Sequence, residues 1–336
     1  MRLVLAGFGV VGQSFVKLLD EMTPELASVY GFVPRIVAIL DSSGCASDEK
    51  GLDARRVLRT KAKTGTVGPQ PRKTAREIIS ATEAEVLVEA TPTNFKSGEP
   101  GLSHIRAGFI SKKHVITCNK GPLGIAFHAL GELARHNSVQ FRYSGAVGGG
   151  TPILDFGKIC STGDEVTKVT GILNGTSNFI LTRMAEDGLP FGSALALAQK
   201  SGYAEKDPTL DVNGYDSAVK ISIIANHLKL SRATAAEVKV TGIEDVSLDR
   251  VRAASAAGKA VKLIATAEKT LGVEPVLIAK DDPICVSDTY NAVKFHCRSS
   301  GPKVIVGKGA GGPETASSMV RDLIEIRASM DGLVNA

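Results

Sequence analysis

Lys220 follows Asp216 by four residues, a spacing that puts both side chains on one face of a helix. Upstream lie Gly202, Tyr203, Ala204, Glu205, Lys206, Asp207 and Pro208, and then Asp211. Beyond Lys220 come Ile221, Ile223, Ile224 and Ala225, which read as core. A lysine at the entrance of an apolar helix, with carboxylates nearby, is a candidate general acid–base. The same spacing also fits an exposed ion pair of little energetic weight. A second lysine, Lys120, follows Asn119 at the end of a short apolar run and precedes Gly121 and Pro122. At the carboxyl edge of a strand it points into a cleft; elsewhere it is an ordinary surface lysine. Near the N-terminus, Gly7-Phe8-Gly9-Val10-Val11-Gly12 closes one apolar run and opens an amphipathic one. In that context Gly7 permits a tight turn, Gly9 lets the backbone approach a pyrophosphate and Gly12 allows close helix–strand packing. The helix N-terminus then offers N–H groups and a positive dipole end to phosphates.

These residues need elements to position them. Apolar runs at 3–6, 35–40, 85–90, 114–117 and 139–143 read as strands. Helical patterns fall between them at 11–22, 53–59, 74–80, 101–108 and 127–136, with 24–34 as a connector and most of 42–72 irregular. Such alternation implies a parallel sheet with right-handed crossovers. Function then belongs in the loops at the carboxyl ends of the strands, here 7–12, 41–44, 91–94, 118–122 and 144–151. Asp41 ends the second strand, where a carboxylate bonds the adenosine ribose; alternatively it caps a turn. As a ribose ligand it favours NAD, since it repels a 2′-phosphate, whereas Arg55 and Arg56 nearby compensate and admit NADP.

After Gly150 the texture changes. Strands are expected at 168–173, 261–267, 275–278, 292–297 and 303–306, and helices at 174–182, 190–201 and 219–228. The expected fold class is α/β: an N-terminal Rossmann-type parallel sheet plus a second, α+β domain. The expected domains are 1–150 for the dinucleotide, 151–310 for substrate and dimerisation, and 311–336 as a C-terminal helix returning to the first domain.

Composition excludes other classes. With 336 residues, 43% hydrophobic and 22% charged, the chain is neither disordered nor fibrous. A formal charge of +5 and the absence of any accompanying motif argue against nucleic acid as a partner. No apolar run reaches the ~18 residues of a membrane span. The 3–6 run is followed by glycines, Lys17 and Asp20, so it does not read as a signal peptide. Five cysteines at 45, 118, 160, 285 and 297, without a C-x-x-C pair, suit a reducing cytoplasm better than a disulfide framework.

Two strings carry a resemblance. ILNGTSNFILT (172–182) and GYAEKDPTLDVNGYDSAVK (202–220) resemble the signature region of the homoserine dehydrogenase family. GFGVVG, VEATPTN, TCNK, GGGTPI and GKGAGG fall in the order expected of that family, so the match spans nearly the whole chain. The resemblance implies reversible NAD(P)H reduction of L-aspartate 4-semialdehyde to L-homoserine, on the route to threonine and methionine. It implies Lys220 as proton donor, Lys120 as second active-site lysine, and Glu205 and Asp216 as substrate-binding carboxylates with Asp211 close by. Phe8, Val10, Val11, Thr91, Gly202 and Gly311 match cofactor-contact positions. No appended regulatory domain is expected after the last helix. The family usually has a carboxylate, helping to hold a monovalent cation, where this chain has Ser144; the carbonyls near Val147 and Gly149 remain, and the cation site is left open.

The chemistry agrees with the resemblance. Hydride transfer to an aldehyde builds negative charge on its oxygen, which an ammonium stabilises and protonates. The substrate's α-ammonium requires carboxylates, and its α-carboxylate requires a cation or N–H donors. Two rivals are weighed: another two-domain amino-acid or sugar dehydrogenase, and a non-catalytic dinucleotide sensor. The 202–220 string argues against the first, and joint retention of Glu205, Asp216 and Lys220 against the second. A homodimer through an exposed face of the second sheet is the default assembly.

Overall fold

Leu3 to Ala6, a four-residue run without a polar side chain, lies fully buried in the centre of the first sheet. Each of its residues is 0% exposed in the computed structural model, which describes residues 1–330 and Gly332. The chain divides into two compact units, Met1–Gly150 with Gly311–Ala336, and Thr151–Ala310.

The first unit contains β1 (Arg2–Ala6), α1 (Val10–Ser28), β2 (Arg35–Asp41), β3 (Gly44–Ser47), α2 (Ala54–Thr64), α3 (Ala75–Ala81), β4 (Val86–Glu89), α4 (Gly101–Ile110), β5 (His114–Thr117), α5 (Lys120–His136) and β6 (Phe141–Arg142). The sheet order is β3-β2-β1-β4-β5-β6. All neighbours pair parallel except β3, which runs antiparallel to β2. The sequence reading placed β3 in an irregular stretch. Only Ser42 and Ser43 separate it from β2, too short for a crossover, so the chain must fold back as a hairpin. Both sheet faces are covered, which explains the near-continuous apolar strands. On one face Leu3, Leu5 and Val88 pack with Phe15 and Leu19 of α1; on the other Val4 and Leu87 pack with Ile105 and Phe109 of α4.

Pro24, read from the sequence as the start of a connector, lies inside α1. The helix tolerates the missing N–H because the turn beyond it seats Leu26 fully in the core. The chain reverses direction across the sheet between β1 and β4, and the ends of these strands meet at Gly7, Ala90 and Thr91.

The second unit contains α6 (Ile153–Ser161), β7 (Val166–Ile172), α7 (Gly175–Glu186), α8 (Phe191–Lys200), α9 (Thr209–Val212), α10 (Tyr215–His227), β8 (Lys239–Val240), α11 (Leu248–Ala256), β9 (Lys259–Ala267), β10 (Leu271–Ala279), β11 (Tyr290–Cys297) and β12 (Gly301–Lys308). Its sheet order is β12-β11-β7-β9-β10-β8, antiparallel except for the β8–β10 pair. The sequence reading missed α6 and α11. Every residue of α10 from Asp216 to Asn226 is buried. Burial on every side places this helix in the core, its polar Asp216, Ser217, Lys220, Ser222 and Asn226 included.

The chain then returns to the first unit as α12 (Gly312–Met330), whose Met319, Leu323 and Ile326 join the α1 side of that core. The expected helix 311–336 is seen as far as Met330; residues 331 and 333–336 lie outside the described residues.

Candidate active site

In the first unit the glycine loop is built as its spacing implied. Gly7 has a φ of +98°, and a Cβ there would run into the Ala90 carbonyl and the Thr91 amide. A Cβ on Gly12 would strike the Gly7 carbonyl. At Gly9 the reason differs: no described atom lies within 4 Å of its Cβ position, so the open space lies outside the protein's own packing. Gly9 caps α1 without a side-chain bond, and the first turn holds no acidic residue. The positive end of a 19-residue helix is therefore left for an external anion. A pyrophosphate fits this cradle. Phe8 is 1% exposed, so only its backbone faces the loop, whereas Val10 is largely exposed and Val11 half-buried. A Cβ on Gly312 would meet Val10 and Ser14 at 2.8 Å, which sets Gly311 beside the same helix end.

Asp41 ends β2 with its carboxylate mostly covered. Oδ1 accepts from the Ser43 amide at 2.7 Å, and Oδ2 takes Lys61 Nζ at 2.6 Å. Burial pushes its pKa up, but the bonds from Lys61 and Ser43 outweigh burial and hold the carboxyl below the usual range. The cation that meets Asp41 here is Lys61, while Arg55 pairs with Asp20 at 3.2 Å and Arg56 is exposed on α2. Asp53 caps α2 through the Arg56 amide, and the helix carries Lys61 about two turns along to Asp41.

The loops after β4 and β5 come together. Thr91 is half-buried, and its carbonyl accepts from Asn119 Nδ2 at 3.2 Å. A Cβ on Gly121 would meet the Asn94 carbonyl at 2.5 Å. Asn119 caps α5 by accepting from Gly121, and Lys120 opens that helix, half-buried with its ammonium 6.0 Å from the Phe95 ring centre. Beneath both loops lies Glu89, at 0% exposure, which the sequence reading did not single out. It accepts from the Thr91 amide at 3.0 Å, from the Thr91 hydroxyl, and from Thr117 Oγ1 at 2.9 Å. Burial pushes its pKa up against those bonds. A glutamate ending an otherwise apolar strand was the available signal. Cys118, read as packing, is in keeping with that role: burial, then the Glu89 charge, push its thiol up to about 12, so it is no nucleophile at neutral pH.

In the second unit the structure gathers most of the acid–base set. Lys220 Nζ lies 2.8 Å from Asp216 Oδ2 and donates to the Leu173 carbonyl at 2.7 Å. The side chains are 7% and 9% exposed, so the pair is buried and the exposed-pair alternative falls. Asn174 Nδ2 donates to Asp211 Oδ1 at 2.6 Å and to Asp216 Oδ2 at 2.9 Å. Asn174 was within the quoted motif yet not chosen, because an asparagine before a helix reads as a cap. Glu205 is exposed on the loop between α8 and α9 and is not bonded into this cluster. Its loop is nevertheless tied to α7, through Thr176 Oγ1 donating to the Tyr203 carbonyl at 2.7 Å. Gly202, exposed with a φ of +75°, lies on the same loop.

At Ser144 the tertiary structure returns a charge. The Ser144 amide donates to Asp322 Oδ2 at 3.0 Å, and Asp322 is 0% exposed on α12. The Gly149 carbonyl accepts from Ser318 Oγ at 2.6 Å. Among the described residues no group of three or more His, Cys, Asp or Glu side chains is gathered as a metal site.

Comparison with known proteins follows from this geometry. The profile of a family described as homoserine dehydrogenase matches residues 152–324. A homoserine dehydrogenase of Methanocaldococcus jannaschii is 40% identical over 97% of this chain and 98% of its own. An NAD(+)-dependent homoserine dehydrogenase of Pseudomonas canavaninivorans is 38% identical over 98% and 96%. The crystal structure of a homoserine dehydrogenase, described as putative, from Archaeoglobus fulgidus superposes with a TM-score of 0.91 at 36% identity, covering 97% of this chain and 99% of that one.

Proposed function

Since the chain belongs to the homoserine dehydrogenase family of NAD(P)-dependent oxidoreductases acting on a CH–OH group, we propose that Lys220 is the proton donor in its reversible reduction of L-aspartate 4-semialdehyde to L-homoserine. The observation that carries this reading is the buried Lys220–Asp216 pair with a backbone carbonyl as the lysine's second acceptor.

When bound, NAD(P)H supplies the hydride. The chain's own residues do the rest. An ammonium has three N–H groups and a neutral amine two, so Lys220 can pass one proton to the developing alkoxide and still bond Asp216 and the Leu173 carbonyl. It recovers that proton in the oxidation direction. Glu205 and Asp216 hold the substrate ammonium, with Asp211 close by, and Asp216 also acts through Lys220. Lys120 places the substrate's carboxylate and oxygen. The α1 N-terminus with Gly7, Gly9 and Gly12 holds the pyrophosphate, and Thr91, Gly202 and Gly311 border the cofactor. The experiment is NAD(P)⁺ reduction with L-homoserine against other amino alcohols and hydroxy acids. Glu205→Gln keeps shape and drops charge; KM for homoserine is expected to rise about tenfold or more, the worth of one charge-assisted bond. Cofactor affinity should stay put, and an unchanged KM removes Glu205 from the site.

Both dinucleotides serve as cofactor on this reading, because Asp41 repels a 2′-phosphate and Lys61 offsets it. Asp41→Ala is expected to raise the NADP/NAD ratio of kcat/KM by about tenfold, as repulsion goes and Lys61 is released. Lys61→Ala should move the ratio the other way. A ratio constant in both variants leaves Asp41 as a turn cap. The enzyme works in the cytoplasm, in keeping with its five free cysteines and with no described helix being long and apolar enough to cross a membrane. It assembles as a homodimer through the sheet face that carries Tyr290 and Val306, both exposed in the single chain; sedimentation measures this.

A further inference from the structure

We infer that Asn174 is a positioning residue of the reaction, holding Asp211 and Asp216 as one acidic pair and through Asp216 aiming Lys220. This rests on the reading of Lys220 as proton donor.

Asn174 is 4% exposed at the join of β7 and α7. Both of its main amide functions are committed. Nδ2 donates to Asp211 and Asp216, and Oδ1 accepts from the Ser177 amide at 2.8 Å. Carboxylates only accept and a backbone N–H only donates, so these partners permit one orientation of the amide. Two like charges converge on a single nitrogen across 37 and 42 residues of chain. Without that donor they repel, and one swings away or takes a proton.

Lys220 feels either outcome directly. The oxygen of Asp216 that accepts from Asn174 is the one that meets Lys220 Nζ. Another acceptor of the lysine is the carbonyl of Leu173, the preceding residue, which Asn291 Nδ2 also holds at 3.1 Å. The segment 173–174 thus bears on both of these contacts.

Helix capping is the competing role, and it can be separated. Serine and aspartate cap helices as well as asparagine does, yet neither can donate two N–H bonds to carboxylates. Asn174→Ser and Asn174→Asp, made in the full chain, are expected to lower kcat for homoserine oxidation at least about tenfold, each lost charge-assisted bond being worth that much. NADH binding, followed by fluorescence, should stay near the parent's in both variants, and the thermal midpoint in Asn174→Ser, whereas Asn174→Asp sets a third carboxylate against Asp211 and Asp216 and is expected to lower the midpoint. A kcat within about threefold of the parent in either variant, or a loss in both that merely tracks the folded fraction by circular dichroism, assigns Asn174 to capping and overturns the inference. Lys220→Ala in the same series separates the two readings. If it too keeps its rate, the proton-donor assignment has failed; if it alone loses rate, only the role of Asn174 has.

Discussion

Lys220→Ala is expected to lower kcat for homoserine oxidation by about 10²–10⁴, the range for loss of a general acid–base, while NAD(P)H binding changes little. The reason is positional. The cofactor's phosphates are assigned to the α1 N-terminus in the first unit, and Lys220 belongs to α10 in the second. Its ammonium is held by Asp216 and the Leu173 carbonyl, both of the second unit. Lys220→Ala also leaves the Asp216 carboxylate buried without its counter-charge, so the variant is expected to lose stability as well, and its rate is read on the folded protein. Single-turnover hydride transfer in the purified, folded variant decides the matter. A rate within about fivefold of the parent, far short of the acid–base range, would reduce Lys220 to an ion-pair partner.

Asp216→Ala should cost stability as well as activity. It leaves the Lys220 ammonium in the core of the second unit with a backbone carbonyl in place of its counter-charge. Breaking a buried pair from one side destabilises by about 3–5 kcal/mol, and urea unfolding should show this as an early transition of the second unit. Asp216→Leu combined with Lys220→Met removes both charges and should recover most of the loss, since apolar replacement of a whole buried pair is often neutral. A single variant within about 1 kcal/mol of the parent, the size of an exposed pair, would contradict the burial seen here. The double variant should stay inactive, which separates the stabilising role of the pair from its chemistry.

The features legible in the sequence are those whose partners are close along the chain. The glycine loop is local: three positions set a turn, an open helix end and a close packing, and each is realised at Gly7, Gly9 and Gly12. The i,i+4 relation of Asp216 and Lys220 is likewise dictated by helical period. The alternation of apolar and amphipathic runs was sufficient for the longer strands of both sheets, but not for β3, where a hairpin replaced a crossover, nor for the two-residue β8, and it ended α1 short of the proline that the helix absorbs. Residue types also carried information, because the string 202–220 sets Glu205, Asp211, Asp216 and Lys220 in an order that resembles one family's signature.

What only the tertiary structure decided lies between residues far apart in the chain. Whether Lys220 and Asp216 sit in water or in the core cannot follow from their spacing; it follows from α10 being enclosed by its unit. Lys61 reaches Asp41 across 20 residues, Asn174 reaches Asp211 and Asp216 across 37 and 42, and Asp322 reaches Ser144 across 178. Such pairings depend on which elements pack together, and hydrogen-bond geometry within a few tenths of an ångström selects the partner. The sequence by itself determined the chemistry available and the loops that carry it. Burial, and with it the strength of each charge, was left to the fold, because the cost of desolvating a group is set by everything packed around it and not by its neighbours in the chain.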